Sequence, residues 1–168
     1  MKKILLLSDT HNYLDEPILR HVREADEVWH AGDIGNISIT DRLVAITTVR
    51  AVYGNADDHV VRMTHPYEQE FTIEELKVYM VHIGGYPPRY IPEVKKALSE
   101  KKPGLFICGH SHILKVMRDS SLNLLHMNPG AAGIQGFHKV RTMLRFKVSQ
   151  GKILDPEVIE LGQKGQSA

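Results

Sequence analysis

Ile4 to Leu7 forms an uninterrupted apolar run near the start of the chain, the pattern of a strand covered on both faces. A helical pattern follows: Asp15 reads as an N-cap, Pro17 falls in the first turn, and Leu14, Ile18, Val22 and Ala25 recur at helical spacing. Val28 and Trp29 predict the next strand, which ends at His30-Ala31-Gly32-Asp33. Ile39, Leu43 and Ile46 mark a second helix, and Val49 to Tyr53 a third strand that stops at Gly54-Asn55. Short strands alternating with helices are the signature of β-α-β units and a largely parallel sheet.

Phe71 to Ile73 and Val78 to Val81 then predict a hairpin whose second strand ends at His82. A third helix has Pro92 in its first turn and Ile91, Val94 and Leu98 on one face, and Pro103-Gly104 stops it. Leu105 to Cys108 reads as a buried strand, and beyond Gly109 to His112 the pattern turns to two-residue alternation. Leu144, Phe146 and Val148 alternate with Arg145 and Lys147 and run into a Gln150-Gly151 turn. The second half is therefore expected to be mainly β. A sheet from the first half packed on a sheet from the second, with helices outside, satisfies both patterns.

The chain has 168 residues, which suits one domain spanning 1–168, with a loose tail expected from Gly162 onward. Apolar residues make up 42% and charged residues 24%, the mixture of an ordinary globular protein, so disordered and fibrous classes are excluded. Lys plus Arg total 21 against 20 Asp plus Glu, so no net field draws the protein to nucleic acid or an anionic membrane. No apolar run approaches the ~20 residues that cross a bilayer. The single cysteine, Cys108, cannot form an internal disulfide, and the start lacks a signal-peptide pattern; a cytoplasmic protein is expected. Ten histidines, several beside Asp, Asn or Gly at loop positions, raise the question of a metal.

The predicted strands end in a consistent kind of residue: Asp9-Thr10-His11, Gly32-Asp33, Gly54-Asn55, His82, and Gly109-His110-Ser111-His112. In open α/β sheets ligands bind outside the carboxyl ends of the strands, so these distant segments should converge. Oxygen and imidazole nitrogen suit divalent first-row metals and disfavour a thiolate-rich structural zinc site. Seven candidate side chains exceed the needs of one ion, but with one bridging carboxylate they supply four contacts to each of two. Two ions about 3.5–4 Å apart form the clamp used in phosphoryl-ester hydrolysis.

The series Ser8-Asp9-Thr10-His11, His30-Ala31-Gly32-Asp33, Gly54-Asn55, Val81-His82 and Gly109-His110-Ser111-His112 resembles the motifs of the calcineurin-like metallophosphoesterases. It is most similar to their small bacterial and archaeal phosphodiesterase branch, to which Asn128-Pro129-Gly130-Ala131 adds a further match. The resemblance spans roughly residues 1 to 150. It implies a four-layer α/β/β/α sandwich with two divalent ions per chain, manganese first and zinc, iron, nickel or cobalt as alternatives. One ion would be held by Asp9, His11, Asp33 and His112, the second by Asp33, Asn55, His82 and His110. Asp33 would bridge, and Asp33, Asn55 and His110 would act catalytically through the metals and by phosphate contact. The implied reaction is in-line attack on a phosphodiester by a hydroxide held between the ions. Alternatives on the same fold are a phosphomonoesterase or nucleotide phosphatase, and a non-catalytic scaffold like the retromer subunit. The filled ligand positions favour an enzyme acting on a small phosphate ester, and relatives suggest a homo-oligomer.

Two departures stand out. Many family members carry His after Gly-Asn to assist the leaving group, whereas this chain has Ala56 and then Asp57; the small branch commonly lacks that His too. Ile83 separates His82 from Gly84-Gly85, where the family usually has Gly directly. Outside the motifs, His21, His59, His65, His126 and His138 read as packed, hydrogen-bonded histidines, and His30 as support for a neighbouring ligand. Gly32, Gly54 and Gly109 read as turns that bring ligand loops close. Cys108 reads as a small buried apolar residue. Lys95-Lys96 and Lys101-Lys102 read as a solvated helix face, with no specific nucleic-acid binding.

Overall fold

The computed structural model describes residues 1–165; the end of the expected tail, 166–168, lies outside the described residues. The chain runs β1 (Lys2–Leu7), α1 (Glu16–Glu24), β2 (Glu27–His30), α2 (Ser38–Val44), β3 (Thr48–Ala51) and α3 (His59–Thr64). It continues through β4 (Glu68–Ile73), β5 (Leu76–Val81), the short pair β6 (Gly85–Tyr86) and β7 (Arg89–Tyr90), and α4 (Pro92–Lys101). The last elements are β8 (Leu105–Ile107), β9 (Leu114–Asp119), β10 (Leu124–Pro129), β11 (Val140–Ser149) and β12 (Lys152–Gln163).

Successive side chains on a strand point to opposite faces, so the unbroken Ile4 to Leu7 run has to be buried twice. Ile4 and Leu6 enter a core shared with Val78, Met80, Ile107 and Met127, between two sheets. Leu5 and Leu7 face the other way, against Ile18 and Val22 of α1 and Leu43 of α2. On the far side of the second sheet, Tyr79, Phe106 and Leu124 pack under Val94 and Leu98 of α4. The layers are thus helix, sheet, sheet, helix, as the motif resemblance implied.

Each large sheet has five strands, ordered β12-β11-β1-β2-β3 and β4-β5-β8-β10-β9. This corrects the division by halves. The β11–β12 hairpin crosses back to the first sheet, where β11 pairs antiparallel with β1 and closes the edge opposite β2. Its apolar residues Leu144, Phe146 and Val148 then face the inter-sheet core. The alternation was legible, but which sheet it joined depended on a partner strand at the other end of the chain. The tail is also shorter than expected, because β12 runs through Gln163 and the Lys164 amide donates to the Lys139 carbonyl.

Local chemistry sets the helix ends. Asp15 accepts from the Ile18 amide at 3.3 Å, and Pro17 occupies the first turn, where its missing N–H costs nothing. The sequence reading passed over α3, which is capped by Asp58 and buries only Val61; a single buried residue creates no periodicity. β6 and β7 have two residues each, too few for an alternating pattern. No helix among the described residues is long and apolar enough to cross a membrane.

Trp29 occupies the middle of the inter-sheet core. Its ring meets Phe71 at 5.0 Å and Phe146 at 5.7 Å, both edge-on, so it ties strands of both sheets together. The indole N–H donates to Glu27 at 3.0 Å, and Arg50 neutralises that carboxylate at 2.9 Å. Trp29→Ala is expected to cost about 3–5 kcal/mol of stability, as for other buried aromatic truncations. Urea unfolding followed by far-ultraviolet circular dichroism measures it, and a loss below about 1 kcal/mol would contradict this packing role.

Candidate metal centre

β1, β2 and β3 are parallel neighbours, as are β5 and β8, and the loops leaving their carboxyl ends meet at the junction of the two sheets. Two groups of donor atoms form there, Asp9, His11 and His112 in one and Asp33, His82 and His110 in the other. Within each group the donor atoms lie within 4.8 Å of one another. Asn55 joins the second group, its Oδ1 3.0 Å from His110 Nδ1. All seven sequence candidates therefore lie in one cluster, including His82 despite the inserted Ile83.

The carboxylates are divided in their tasks. Asp9 Oδ2 accepts from Ser8 Oγ at 2.6 Å and from the His110 amide at 3.2 Å. Its other oxygen, Oδ1, makes no hydrogen bond and lies 3.2 Å from His112 Nε2. Asp33 Oδ1 accepts from the Ala56 amide at 2.9 Å. Asp33 Oδ2 lies 3.5 Å from His11 Nε2 and 3.2 Å from His82 Nε2, one imidazole of each group. His82 Nδ1 is 2.7 Å from the Ala31 carbonyl, which can only accept, so that nitrogen carries a proton and Nε2 faces the carboxylates.

These residues fit divalent cations. Asp9 Oδ1 and His82 Nε2 are enclosed without a hydrogen-bond partner among the described residues, an arrangement that is costly unless another group serves them. The donor set of two carboxylates, four imidazoles and one amide oxygen matches divalent first-row ions. The electrostatics agree. Burial works to raise the Asp33 carboxyl, but His82 beside it and the Ala56 amide hold it at about 2. Burial pulls the His82 imidazole down, yet Asp33 and Asp9 outweigh it and carry it above its ordinary value. His110, more open, is lowered, first by burial and then by the neighbouring His82.

The backbone is strained where the donors stand. Asp9, His11, Asp33, His110 and His112 all adopt positive φ, between 41° and 71°, a region non-glycine residues rarely enter. Such strain collects at functional sites and persists only when the surroundings enforce it. Gly32, at φ 101°, is enforced sterically as well: a Cβ there would lie 2.5 Å from His82 Nδ1. At Gly54 a Cβ would meet Asp33 Oδ1 at 2.1 Å, which is the close approach expected from the sequence.

Supporting residues surround the donors. His30 accepts from the Gly32 amide at 3.1 Å through Nδ1, so Nε2 carries its proton and donates to Thr10 Oγ1 at 2.9 Å. Thr10 passes the bond on to the Ile34 carbonyl at 2.8 Å. Burial pushes His30 down to about 3 and keeps it neutral for this relay. It pins the loops carrying Asp9, His11 and Asp33 and touches none of those side chains. Asn128 does the same for the His110 loop, donating to the Gly109 carbonyl at 3.0 Å and to Ser111 Oγ at 3.1 Å. The sequence reading missed Ser8 and Asp57 as supports. Asp57 is buried, with its two oxygens accepting from the amides of Gly35 and Gly54 at 2.9 and 2.8 Å. Ser8 stands beside Asp9 in the motif; nothing along the chain marked Asp57 as inward-facing.

Among the remaining histidines, His65 meets Thr40 Oγ1 at 2.9 Å, the packed state expected of it. Two of these expectations fail: His59 is exposed at the start of α3, and His21 keeps a buried Nδ1 without a hydrogen-bond partner among the described residues. His138 bonds the Gly133 carbonyl, but its ring stands 5.2 Å from His112, against the candidate centre. His126 is a correction: it is fully buried, yet neither ring nitrogen has a hydrogen-bond partner among the described residues. Cys108 is buried as expected, and burial pushes its thiol up to about 12. Lys95 and Lys96 are exposed, while Lys101 pairs with Glu70 at 2.8 Å.

The family profile of the calcineurin-like phosphoesterase superfamily domain matches residues 1–151, a span that holds all seven donors. The chain belongs to this superfamily. It is a small metallophosphoesterase of the prokaryotic kind: it is 28% identical over 165 residues to a probable metallophosphoesterase of Methanothermobacter thermautotrophicus, covering 94% of this chain and 91% of the relative. Among solved structures, Vps29 of Chaetomium thermophilum superposes with a TM-score of 0.75 at 16% identity, covering 98% of this chain and all of that one. A novel archaeal phosphodiesterase does so with a TM-score of 0.69 at 19% identity, covering 95% and 99%. At these identities the likeness is one of fold. Metallophosphoesterases use divalent metals, and the two donor groups are this chain's candidates to hold them.

Gly32→Ala tests how the metallophosphoesterase loops are built. The added methyl would collide with His82 at a backbone angle alanine resists, so bound metal should fall while the fold survives. Elemental analysis beside a thermal melt reads both quantities, and an unchanged metal content would show that the Gly32 contact does not position His82.

Proposed function

We propose that this metallophosphoesterase hydrolyses phosphodiesters with two divalent ions, one held by Asp9, His11, Asp33 and His112 and the other by Asp33, Asn55, His82 and His110. The observation that carries this reading is Asp33 Oδ2, which reaches an imidazole of each donor group and so stands where a bridge belongs. When bound, such ions neutralise phosphoryl oxygens and lower the pKa of water from about 15.7 to about 7. The protein's own part is orientation. Ser8, the His110 amide and the Ala56 amide each take up a carboxylate oxygen that would otherwise rotate, and the Ala31 carbonyl sets the His82 ring.

Among the described residues, those that follow Asn55 offer the leaving group no ready proton donor. Ala56 fills the position where many relatives carry His. Asp57 beside it has both oxygens engaged by backbone amides, and His59 is exposed on α3. An aryl oxide leaves readily as an anion, whereas an alkoxide needs a proton, and such help is typically worth about 10²–10⁴-fold.

Purified protein is expected to bind two divalent ions per chain and to lose hydrolysis of generic diesters in chelator, with manganese restoring it. Asp33→Ala should do the most damage of any single change, because it removes a contact to both ions. Stoichiometry of one ion or none, with no metal-dependent turnover of mono- or diesters, would sink the reading. A leaving-group series is expected to show steep dependence on leaving-group acidity in the wild type and a shallower one in Ala56→His, with alkyl esters gaining about 10²-fold or more. A flat series in the wild type would reveal an acid elsewhere.

A further inference from the structure

The turn that carries Asn55 is gripped from its solvent side as well as from within. α3 starts directly after it, and the Asp58 cap sets the helix so that Arg62 stands one turn along, its amide donating to the Asp58 carbonyl at 3.0 Å. Helical side chains lean back toward the N-terminus, so the Arg62 side chain falls over residues 55–57. Its guanidinium meets two backbone carbonyls there. Nε donates to the Asp57 carbonyl at 2.8 Å, and Nη2 to the Asn55 carbonyl at 3.1 Å. The Tyr53 ring backs the group, with its centre 4.9 Å from the guanidinium carbon.

Arg62 is exposed, and it belongs to neither donor group. A surface arginine that fastens a helix to a loop is common, and an exposed charge adds little to stability. What sets this contact apart is the peptide it grips. The Asn55 carbonyl and the Ala56 N–H are the two ends of one planar, resonance-coupled group. The carbonyl accepts from Arg62, and the N–H donates to Asp33 Oδ1 at 2.9 Å. Hydrogen bonds in such a chain polarise one another, so a cation on the carbonyl makes the N–H a stronger donor. Asp33 Oδ1 is thereby held, which leaves Oδ2 facing His11 and His82. The gripped residue also carries the Asn55 amide, whose Oδ1 lies 3.0 Å from His110 Nδ1. One guanidinium therefore acts on two candidate donors through the backbone. Asp57 cannot substitute for it, because its carboxylate is engaged by the amides of Gly35 and Gly54.

We propose that Arg62 is a positioning residue of the metal centre, which sets the Asp33 bridge through the peptide between Asn55 and Ala56 and holds Asn55 for the second ion. The proposal rests on the two-ion reading for its effect on metal, but not for the relay itself. Arg62→Met keeps an apolar stem beside Tyr53 and removes the guanidinium; Arg62→Lys keeps the charge but loses the fork that spans two carbonyls. Competition against a fluorescent chelator, with manganese alone as the probe, is expected to show Arg62→Met binding about 10–100-fold more weakly, the usual cost of losing a partner behind a metal ligand. Arg62→Lys should fall between it and the wild type. Melting in chelator should change little in either variant, since the residue is exposed. In the metal-free protein the Ala56 amide proton resonance should move upfield in Arg62→Met as its bond to Asp33 weakens, while the Gly35 amide, held by Asp57, stays in place. Wild-type manganese affinity in Arg62→Met overturns the positioning role, and so does a fold lost together with the metal, which would make Arg62 a structural brace. An unmoved Ala56 resonance, or an equal movement at Gly35, overturns the relay. If the wild type binds no manganese, the two-ion reading falls, and the metal-free resonances alone decide whether Arg62 sets Asp33.

Discussion

Two buried carboxylates, Asp9 and Asp33, stand at the ends of neighbouring parallel strands, and the surrounding chain is organised by the need to compensate their charge. An isolated ionised group cannot be taken out of water at tolerable cost. Each of these therefore has one oxygen satisfied by the protein and the other presented to imidazoles. Positive charge must fill the remaining demand. That single requirement explains why so many histidines gather here, why His82 is raised despite its burial, and why the loops accept left-handed backbone at five donor positions.

The fold supplies rigidity for that arrangement. Three separate apolar clusters hold the two sheets and their helices, so the strand ends cannot shift without disturbing packing on both faces. Polar braces then carry the rigidity outward. His30 links two ligand loops through Thr10 and Gly32, Asp57 fastens Gly35 to Gly54, and Asn128 holds the His110 loop from the second sheet. Each brace is buried, and each joins segments far apart in sequence.

That distance also sets what could be read from the sequence. Strand cores and helix faces are local signals: the β1 run, the Asp15 cap and the Leu144 alternation each announced their element. The seven candidate donors could be picked out because they follow strand ends in short motifs, and the fold brings them together. What escaped depends on partners the sequence does not place nearby. β11 could be recognised as a strand but not as the neighbour of β1, and Asp57 looked like a loop carboxylate until Gly35 and Gly54 were seen against it. His126 misled for the opposite reason. With no motif around it, it looked like an ordinary packed residue, and the structure leaves its ring without a hydrogen-bond partner among the described residues.

The pairing of β1 with β11 bears on how the protein is made. Lys2 aligns with Val148, so the chain through β11 must leave the ribosome before the first strand finds its outer neighbour. Until then β1 presents an open, strongly apolar edge, the sort of template other chains can join. β2 and β3 can pair early, since they follow closely, and would leave a three-stranded sheet open at both edges, of which only the β1 edge is later covered. The C-terminal hairpin is thus the piece that covers the β1 edge and leaves β12 as the outer strand. A ribosome stalled shortly before residue 140 would release a product with every candidate ligand in place and its sheet still unsealed.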